Sequence, residues 1–222
     1  MSKTELFIKR SIGKKQIAAI SAILLCLFSM FHMCGNYFLL YGREAFDGFV
    51  HMLHALKYLL YVLEAGLAAT FLAHIVLGIK LWRENRKARE SRYEAPEASQ
   101  MLKGARGAAS PGSLTMIFTG LVFTVFLVLH VYHFTITSKV VTPDVPLYDI
   151  VATHLSKPFW AFFYVFSVSC LGVHLTHGLQ SAFQTLGFAH SRYMPGLKVF
   201  SVGFGIFIGA GYSVLPLYFL FG

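Results

Sequence analysis

Charged side chains are scarce in this sequence, and acidic ones are the scarcest. Asp, Glu, Lys and Arg make up 13% of the 222 residues, whereas 56% are hydrophobic. A soluble domain of this size normally carries roughly 25% charged residues. Most of the surface must therefore face something other than water. This excludes an ordinary soluble domain and indicates an integral membrane protein.

Cysteine is also rare, which limits the cofactors that the chain itself can hold. Cys26, Cys34 and Cys170 all lie in apolar segments. The sequence has no C-x-x-C-H motif for covalent haem attachment, none of the cysteine sets that ligate iron–sulfur clusters, and no glycine motif of a dinucleotide-binding fold. If such cofactors take part in its function, they belong to partner proteins.

Five apolar runs are long enough to cross a bilayer, which takes about 20 residues. Sustained strand-like alternation is missing, so we expect an all-α membrane protein with five transmembrane helices rather than a β-barrel. The first run is too long for the core of a cleaved signal peptide and is expected to be retained. We predict a single membrane domain, 1–222, with a cytoplasmic linker at 83–113 whose first part continues the second helix. The predicted spans are 16–41, 56–82, 114–138, 158–186 and 199–221.

Lysine and arginine are distributed unequally between the two sides of these spans. Five lie in the N-terminal tail, eight in the linker and its flanks and two between the last two runs, against four on the opposite side. Because cytoplasmic loops carry the excess of positive charge, the N-terminus is expected in the cytoplasm and the C-terminus outside. The basic residues flank spans and are not interleaved with aromatic residues, so we expect no nucleic-acid binding.

Histidines are the unusual residues of the apolar runs, where an ionisable side chain is costly and usually functional. His32 and His130 each lie sixteen residues from the cytoplasmic start of their runs and share a depth nearer the outer face. His74 and His174 share a depth nearer the cytoplasm. Two levels with two histidines each predict two bis-histidine cofactors stacked across the bilayer. The alternatives are polar contacts between helices and a proton relay, for which the spans hold one carboxylate, Glu64.

Haem suits such a pair of ligands. Its iron accepts imidazole nitrogen axially, and two trans imidazoles leave a centre that transfers electrons without binding oxygen. Ligands on different helices would sandwich the macrocycle in the core of a bundle. Gly35, Gly78 and Gly178 lie one turn from a histidine on the same face and are expected to leave room for the porphyrin.

Two further intramembrane histidines compete for these roles. His133 and His177 lie one turn beyond the predicted ligands of the third and fourth helices, and depth alone does not separate the alternatives. The remaining histidines lie outside the runs and are expected to be solvated: His51, His54, His154 and His190.

The segments around these histidines resemble a known family, the di-haem cytochrome b membrane anchor of succinate dehydrogenase and fumarate reductase, in its one-polypeptide, five-helix form. In the family, glycines follow the fourth ligand by four and thirteen residues. Gly178 and Gly187 stand at those distances from His174, so the resemblance favours His174 over His177. Gly172 stands where some members carry a glutamate proposed to carry protons, so that pathway is not expected here. The similar segments are FHMCGNYF with His32, AHIVLGIKLW with His74, LHVYHF with His130 and HLTHGLQSAFQTLG with His174.

The resemblance implies a subunit of a larger enzyme in the inner (cytoplasmic) membrane of a prokaryote. His74 and His174 would hold the inner haem b, and His32 and His130 the outer one. Electrons would pass between an iron–sulfur subunit on the cytoplasmic side and a quinone, commonly menaquinone, near the outer haem. FAD and the iron–sulfur clusters would lie on partner subunits, where the dicarboxylate chemistry takes place, and the assembly would be a dimer of heterotrimers.

Weaker signals concern the quinone and the partner. Glu64, His51 and His54 are candidate quinone-site residues on the outer side. Two other functions stay open: a haem b anchor for another quinone-linked dehydrogenase, of the hydrogenase or formate dehydrogenase type, and a transporter that couples protons through histidine. Basic residues on the cytoplasmic side are candidates for docking the iron–sulfur partner, although topology alone explains them equally well: Lys9, Arg10, Arg83 and Arg86.

Overall fold

Five long apolar helices make up most of the computed structural model, which describes residues 11–93 and 111–222. Each is long and apolar enough to cross a membrane, and each overlaps one predicted run. No β-strand occurs in the described residues. The prediction of an all-helical, multi-pass membrane protein is therefore confirmed. The spans are Ile12–Tyr41, Tyr58–Ala88, Thr115–Val141, Pro158–Thr185 and Met194–Phe221.

Turn residues mark the ends of several helices. Gly42 and Gly187 have positive φ values of 94° and 105°, a conformation that glycine adopts without steric cost. Pro158 begins a helix, where its missing N–H costs nothing. The helices are α1 (Ser11–Asn36), continued by the 3-10 turn Tyr37–Tyr41, α2 (Arg43–His54), α3 (Tyr58–Tyr93), α4 (Pro111–His130), continued by the π-helical segment Val131–Val141, α5 (Leu147–Leu155), α6 (Pro158–Thr185) and α7 (Met194–Phe221).

The bundle has two distinct ends. At the short-helix end, α2 and α5 connect the long helices, and Arg43 of α2 forms an ion pair with Asp149 of α5. At the linker end, α3 runs on to Tyr93 as predicted, and Lys14 of α1 forms an ion pair with Glu84 of α3. The proposed docking residues Lys9 and Arg10 lie outside the described part of the chain.

Helices α1, α3, α4 and α6 form a four-helix bundle, in which they occupy the four corners of a square. Packing joins α1 to α3, α4 to α6 and α1 to α6, whereas α3 and α4 touch only sparsely. The diagonal pairs, α1 with α4 and α3 with α6, make at most isolated backbone contacts among the described residues. Side chains that project from opposite corners therefore meet in the interior, which is where such bundles hold cofactors.

Helix α7 packs outside this square, against α6, in the most extensive helix pairing of the molecule. Glycines permit the close approach. A Cβ atom added to Gly172 would lie 2.7 Å from the carbonyl oxygen of Gly205 and 3.2 Å from Cα of Gly209. Any side chain at position 172 would separate the helices, which explains why a glutamate is not accommodated there.

Candidate functional site

Two pairs of histidines meet across the two diagonals of the bundle. The ring centres of His32 on α1 and His130 on α4 are 5.8 Å apart. Those of His74 on α3 and His174 on α6 are 6.4 Å apart. We call these the short-helix-side pair and the linker-side pair, after the ends of the bundle to which they are nearer. The structure thus brings together the same partners that depth along the helices had matched, while metal binding by them stays a prediction.

A serine adjoins the ring of His74. Nδ1 of His74 lies 3.1 Å from Oγ of Ser21, and that hydroxyl is also 2.9 Å from the carbonyl oxygen of Ala18, to which it can donate. When the hydroxyl donates to Ala18 it can only accept from the imidazole, and in that arrangement Nδ1 carries the hydrogen and Nε2 keeps its lone pair. An imidazole held by its other ring N–H in this way is the usual arrangement of a metal-binding histidine.

His174 has an equivalent partner on the neighbouring helix. Its Nδ1 lies 3.2 Å from Oγ1 of Thr119, which donates to the carbonyl oxygen of Thr115 at 2.8 Å. In the same arrangement Nε2 of His174 keeps its lone pair. Two glycines adjoin the ring: a Cβ added to Gly120 would lie 3.3 Å from its Cε1 atom, and one added to Gly178 would lie 3.8 Å from its Cδ2 atom. The backbone beside this histidine is therefore bare.

These hydroxyls were missed in the sequence, although a spacing signal was present. Ser21 precedes His32 by eleven residues, and Thr119 precedes His130 by eleven. Eleven residues make about three helical turns, or about 16 Å, and return to the same face. Helices α1 and α4 therefore each present a histidine at one level and, at the other level, the hydroxyl that orients a histidine of the linker-side pair.

Aromatic rings surround the short-helix-side pair. Phe28 stacks on His32 at 5.1 Å, and Phe126 and Phe134 lie 5.4 and 5.2 Å from the ring of His130. Nδ1 of His130 is buried without a hydrogen-bond partner in the described structure. A buried polar atom without a partner is rare and requires an explanation, of which ligation is one.

The two alternative ligands lie elsewhere. His177 is exposed on α6. His133 belongs to the π-helical segment and is buried in a second cluster, with its Nδ1 atom 3.2 Å from the hydroxyl of Tyr164. Its ring centre lies 4.0 Å from that of His154 and 4.5 Å from that of Trp160. Neither residue belongs to one of the two histidine pairs, and the choice of ligands stays a prediction.

His154 is not a solvated side chain, so this expectation was wrong. It is half-buried on α5, and its Nε2 atom is buried without a hydrogen-bond partner in the described structure. Burial, together with His133 and Lys157 nearby, lowers the pKa of His154 from 6.5 to about 4. The imidazole is therefore neutral at physiological pH. His133 and His154 line a cavity of about 260 Å³ at the short-helix end.

The predicted porphyrin-packing glycines have different surroundings from one another. A Cβ added to Gly35 would lie 2.7 Å from the ring of Phe49, so this glycine makes room for a phenylalanine of α2. A Cβ added to Gly78 would meet no atom within 4 Å. Of the three, Gly178 is the one in contact range of a paired histidine, and the porphyrin-packing role of all three stays a prediction.

The residues predicted for a quinone site do not line the cavity at the short-helix end. Glu64 forms an ion pair with Lys139 at 3.1 Å, and both side chains are partly exposed. His51 and His54 are exposed on α2. Their predicted role remains without structural support.

The described residues contain no group of three or more His, Cys, Asp or Glu side chains that could hold a metal ion. Structural zinc sites use four protein ligands and catalytic ones three. Each histidine pair offers two ligands, which suits a metal whose other coordination positions are filled by a cofactor. No family model, curated protein or solved structure matches this chain, so its function is inferred from the site itself.

Proposed function

We propose that the protein is the di-haem b membrane anchor of a succinate:quinone or quinol:fumarate oxidoreductase. The observation that carries this proposal is the presence of two histidine pairs in one bundle. Each pair is formed across a diagonal, and the two pairs lie at different levels along the bundle. A role as helix-to-helix contacts alone would not require two pairs matched in depth, nor the unpartnered buried Nδ1 atom of His130.

The two rings of each pair are close enough together for one metal ion to be held between them, since a metal–imidazole nitrogen bond is about 2 Å long. The observed separations are 5.8 and 6.4 Å. When bound, haem supplies one-electron transfer without an open coordination site. Its ligands would be His32 with His130 and His74 with His174.

The protein's own residues orient these ligands. Ser21 and Thr119 contact the Nδ1 atoms of the linker-side pair and would leave both Nε2 atoms for the iron. Gly120 and Gly178 leave the backbone bare beside His174. Around the short-helix-side pair, phenylalanines exclude water and lower the local dielectric constant.

Orientation and partners complete the proposal. The excess of positive charge at the linker end supports a cytoplasmic location for that end. The linker-side pair would then hold the inner haem and receive electrons from an iron–sulfur subunit. The flavoprotein with FAD would bind to that subunit. The other pair would exchange electrons with a quinone, and menaquinone is the one that the resemblance implies. A dimer of such heterotrimers in a prokaryotic inner membrane is the assembly we propose.

Spectroscopy of the purified protein tests the assignment. A dithionite-reduced minus oxidised spectrum and a pyridine haemochrome count should give two haems b per chain. His74→Phe and His174→Phe should each remove one haem. His177→Phe is the matched control, because it changes an exposed histidine one turn along the same helix, and it should keep both haems.

Two results would contradict the proposal. Full haem content in both His74→Phe and His174→Phe would refute the ligand assignment. A wild-type protein without any Soret band would refute haem binding and favour proton coupling through histidine. Co-purifying subunits decide the reaction, since flavin and iron–sulfur proteins that oxidise succinate distinguish this anchor from one of a hydrogenase or formate dehydrogenase.

A further inference from the structure

A second group of buried polar side chains lies at the short-helix end, apart from both histidine pairs. The cavity of about 260 Å³ there is bounded by the π-helical segment, by α5 and by the residues that follow each of them. Its walls combine apolar side chains, such as Val145 and Ile150, with His133, Asp149, His154 and Lys157. Ligand pockets are typically of this mixed kind, with a few polar groups that orient the ligand.

Most of the polar groups in this wall are already engaged within the protein. Asp149 is paired with Arg43, and Nδ1 of His133 lies 3.2 Å from the hydroxyl of Tyr164. Nε2 of His154 is different, because it is buried and has no partner in the described structure. His154 lines the cavity, and flipping its ring exchanges the positions of nitrogen and carbon atoms. One wall group thus has hydrogen-bonding capacity that the protein leaves unused.

The state of His154 restricts the ligand. A neutral imidazole has one donor and one acceptor, so it can donate to a carbonyl oxygen and accept from a hydroxyl. Lys157 adds a positive charge that can bind a second oxygen of the ligand. A flat ring with oxygens on opposite edges, present as carbonyls in one oxidation state and as hydroxyls in the other, satisfies both groups.

We propose that this cavity binds the head group of a membrane quinone, with a quinone oxygen hydrogen-bonded to His154. The inference rests on the proposed function and gives its quinone a site other than the one expected from Glu64, His51 and His54. The cavity is smaller than the roughly 300–1,000 Å³ of pockets for whole drug-sized ligands, so it suits a ring head group whose tail stays outside.

The cavity lies next to the short-helix-side pair. Phe134 contacts both, with its ring centre 5.2 Å from that of His130 and 5.6 Å from that of His154. Trp160 packs against the ring of His154 at 4.8 Å and supports it from the side of α6. A head group in the cavity would therefore be one aromatic residue away from a proposed haem ligand.

Apolar surface near the cavity is available for the tail of the quinone. Val145, which lines the cavity, is 41% exposed, and Val140 and Val141 at the end of the π-helical segment are 72% and 59% exposed. These residues adjoin a helix that is apolar enough to cross a membrane. An isoprenoid tail could lie along this surface in the bilayer.

Direct binding tests the proposal. Tritiated 2,3-dimethyl-1,4-naphthoquinone is titrated onto the full-length protein in nanodiscs, with protein-free nanodiscs as the partition blank. We expect one saturable site per chain, and at least a tenfold increase in Kd for His154→Phe, which keeps an aromatic ring but removes both nitrogens. Val145→Phe, which fills the cavity from its exposed wall, should raise the Kd by a similar factor. His190→Phe, an exposed histidine at the linker end, should leave it unchanged.

Several outcomes would overturn the site. These are retention no higher than the blank, saturable binding that neither His154→Phe nor Val145→Phe weakens, and binding lost instead in Glu64→Gln or His51→Phe. If His154→Phe does not fold, Val145→Phe decides. Haem content of the same samples separates this proposal from the previous one. Two haems with no saturable binding refute the cavity alone, whereas saturable, cavity-dependent binding without haem refutes the proposed function and retains the quinone site.

Discussion

The contact between α6 and α7 provides a sharp test of the helix arrangement, because it depends on the absence of a single methyl group. In Gly205→Ala, the new Cβ would lie 2.5 Å from the carbonyl oxygen of Gly172 and 2.7 Å from Cγ2 of Thr176. Carbon and oxygen atoms without a bond between them do not approach below about 3 Å, so the two backbones must separate. Overpacking of this kind costs about 1–3 kcal/mol. Alanine recovers about 0.5–1 kcal/mol through its higher helix propensity, which leaves an expected net loss between about 0 and about 2.5 kcal/mol.

The matched control lies two residues earlier on the same helix. A Cβ added to Gly203 would meet no atom within 4 Å. Gly203→Ala should therefore leave the free energy of unfolding unchanged or raise it by up to about 1 kcal/mol. Both variants are compared with wild type by SDS titration in mixed micelles, with helicity as the signal. Equal stabilities of the two variants, or a more stable Gly205→Ala, would refute the close packing of α6 on α7.

Three further predictions concern the sites. Thr119→Val removes the hydroxyl that orients one imidazole of the linker-side pair, and it should weaken retention of the proposed haem about 10–100-fold, as measured by transfer to apomyoglobin; Thr124→Val, whose hydroxyl bonds only to its own helix, should not. Glu64→Gln breaks an exposed ion pair with Lys139 and should change the unfolding free energy by less than about 1 kcal/mol, with quinone binding intact. The pKa of His154 is lowered to about 4 in the folded protein, so the unfolded chain binds more protons between pH 6.5 and 4 and stability falls as the pH falls through that window. Wild type should therefore lose more in Tm between pH 7 and 5 than His154→Phe, and equal losses would contradict the burial of this imidazole.

The pairing of the histidines could be predicted because helix depth is almost a linear function of residue number. A rise of 1.5 Å per residue places His32 level with His130 and His74 level with His174 once the spans are located. What depth does not give is lateral position. That each pair crosses a diagonal follows from which of the four helices pack side by side, and periodicity does not report those pairings.

The sequence could not show that His130 and His133 have different surroundings, because the helix changes type between them. In a regular α-helix, residues three apart share a face. The backbone instead widens to i→i+5 hydrogen bonding immediately after His130, and such π-helical segments often mark functional sites. His133 is thereby carried to α5 and Trp160 while His130 stays opposite His32. The amino-acid pattern of Val131–Val141 does not predict that this segment is π-helical.

The environment of His154 was misjudged because it lies in a connection between spans, where exposure is the usual expectation. The connection folds into the short helix α5, and Val151 and Leu155 anchor that helix in the core. His154 is carried inward with them. The burial of His154 thus results from tertiary packing. The nine residues of α5 are too few for a hydrophobic periodicity to predict which of its faces is buried.

The chain between α3 and α4 separates the four paired histidines into two that precede it and two that follow it. Each pair takes one member from before the linker, His32 or His74, and one from after it, His130 or His174. A ligand bridging either pair therefore joins the first half of the chain to the second, in addition to the packing of α1 against α6. Ligand binding and association of the halves are then thermodynamically linked. Two fragments separated within the linker should therefore associate more tightly when haem is supplied than in a haem-deficient cell.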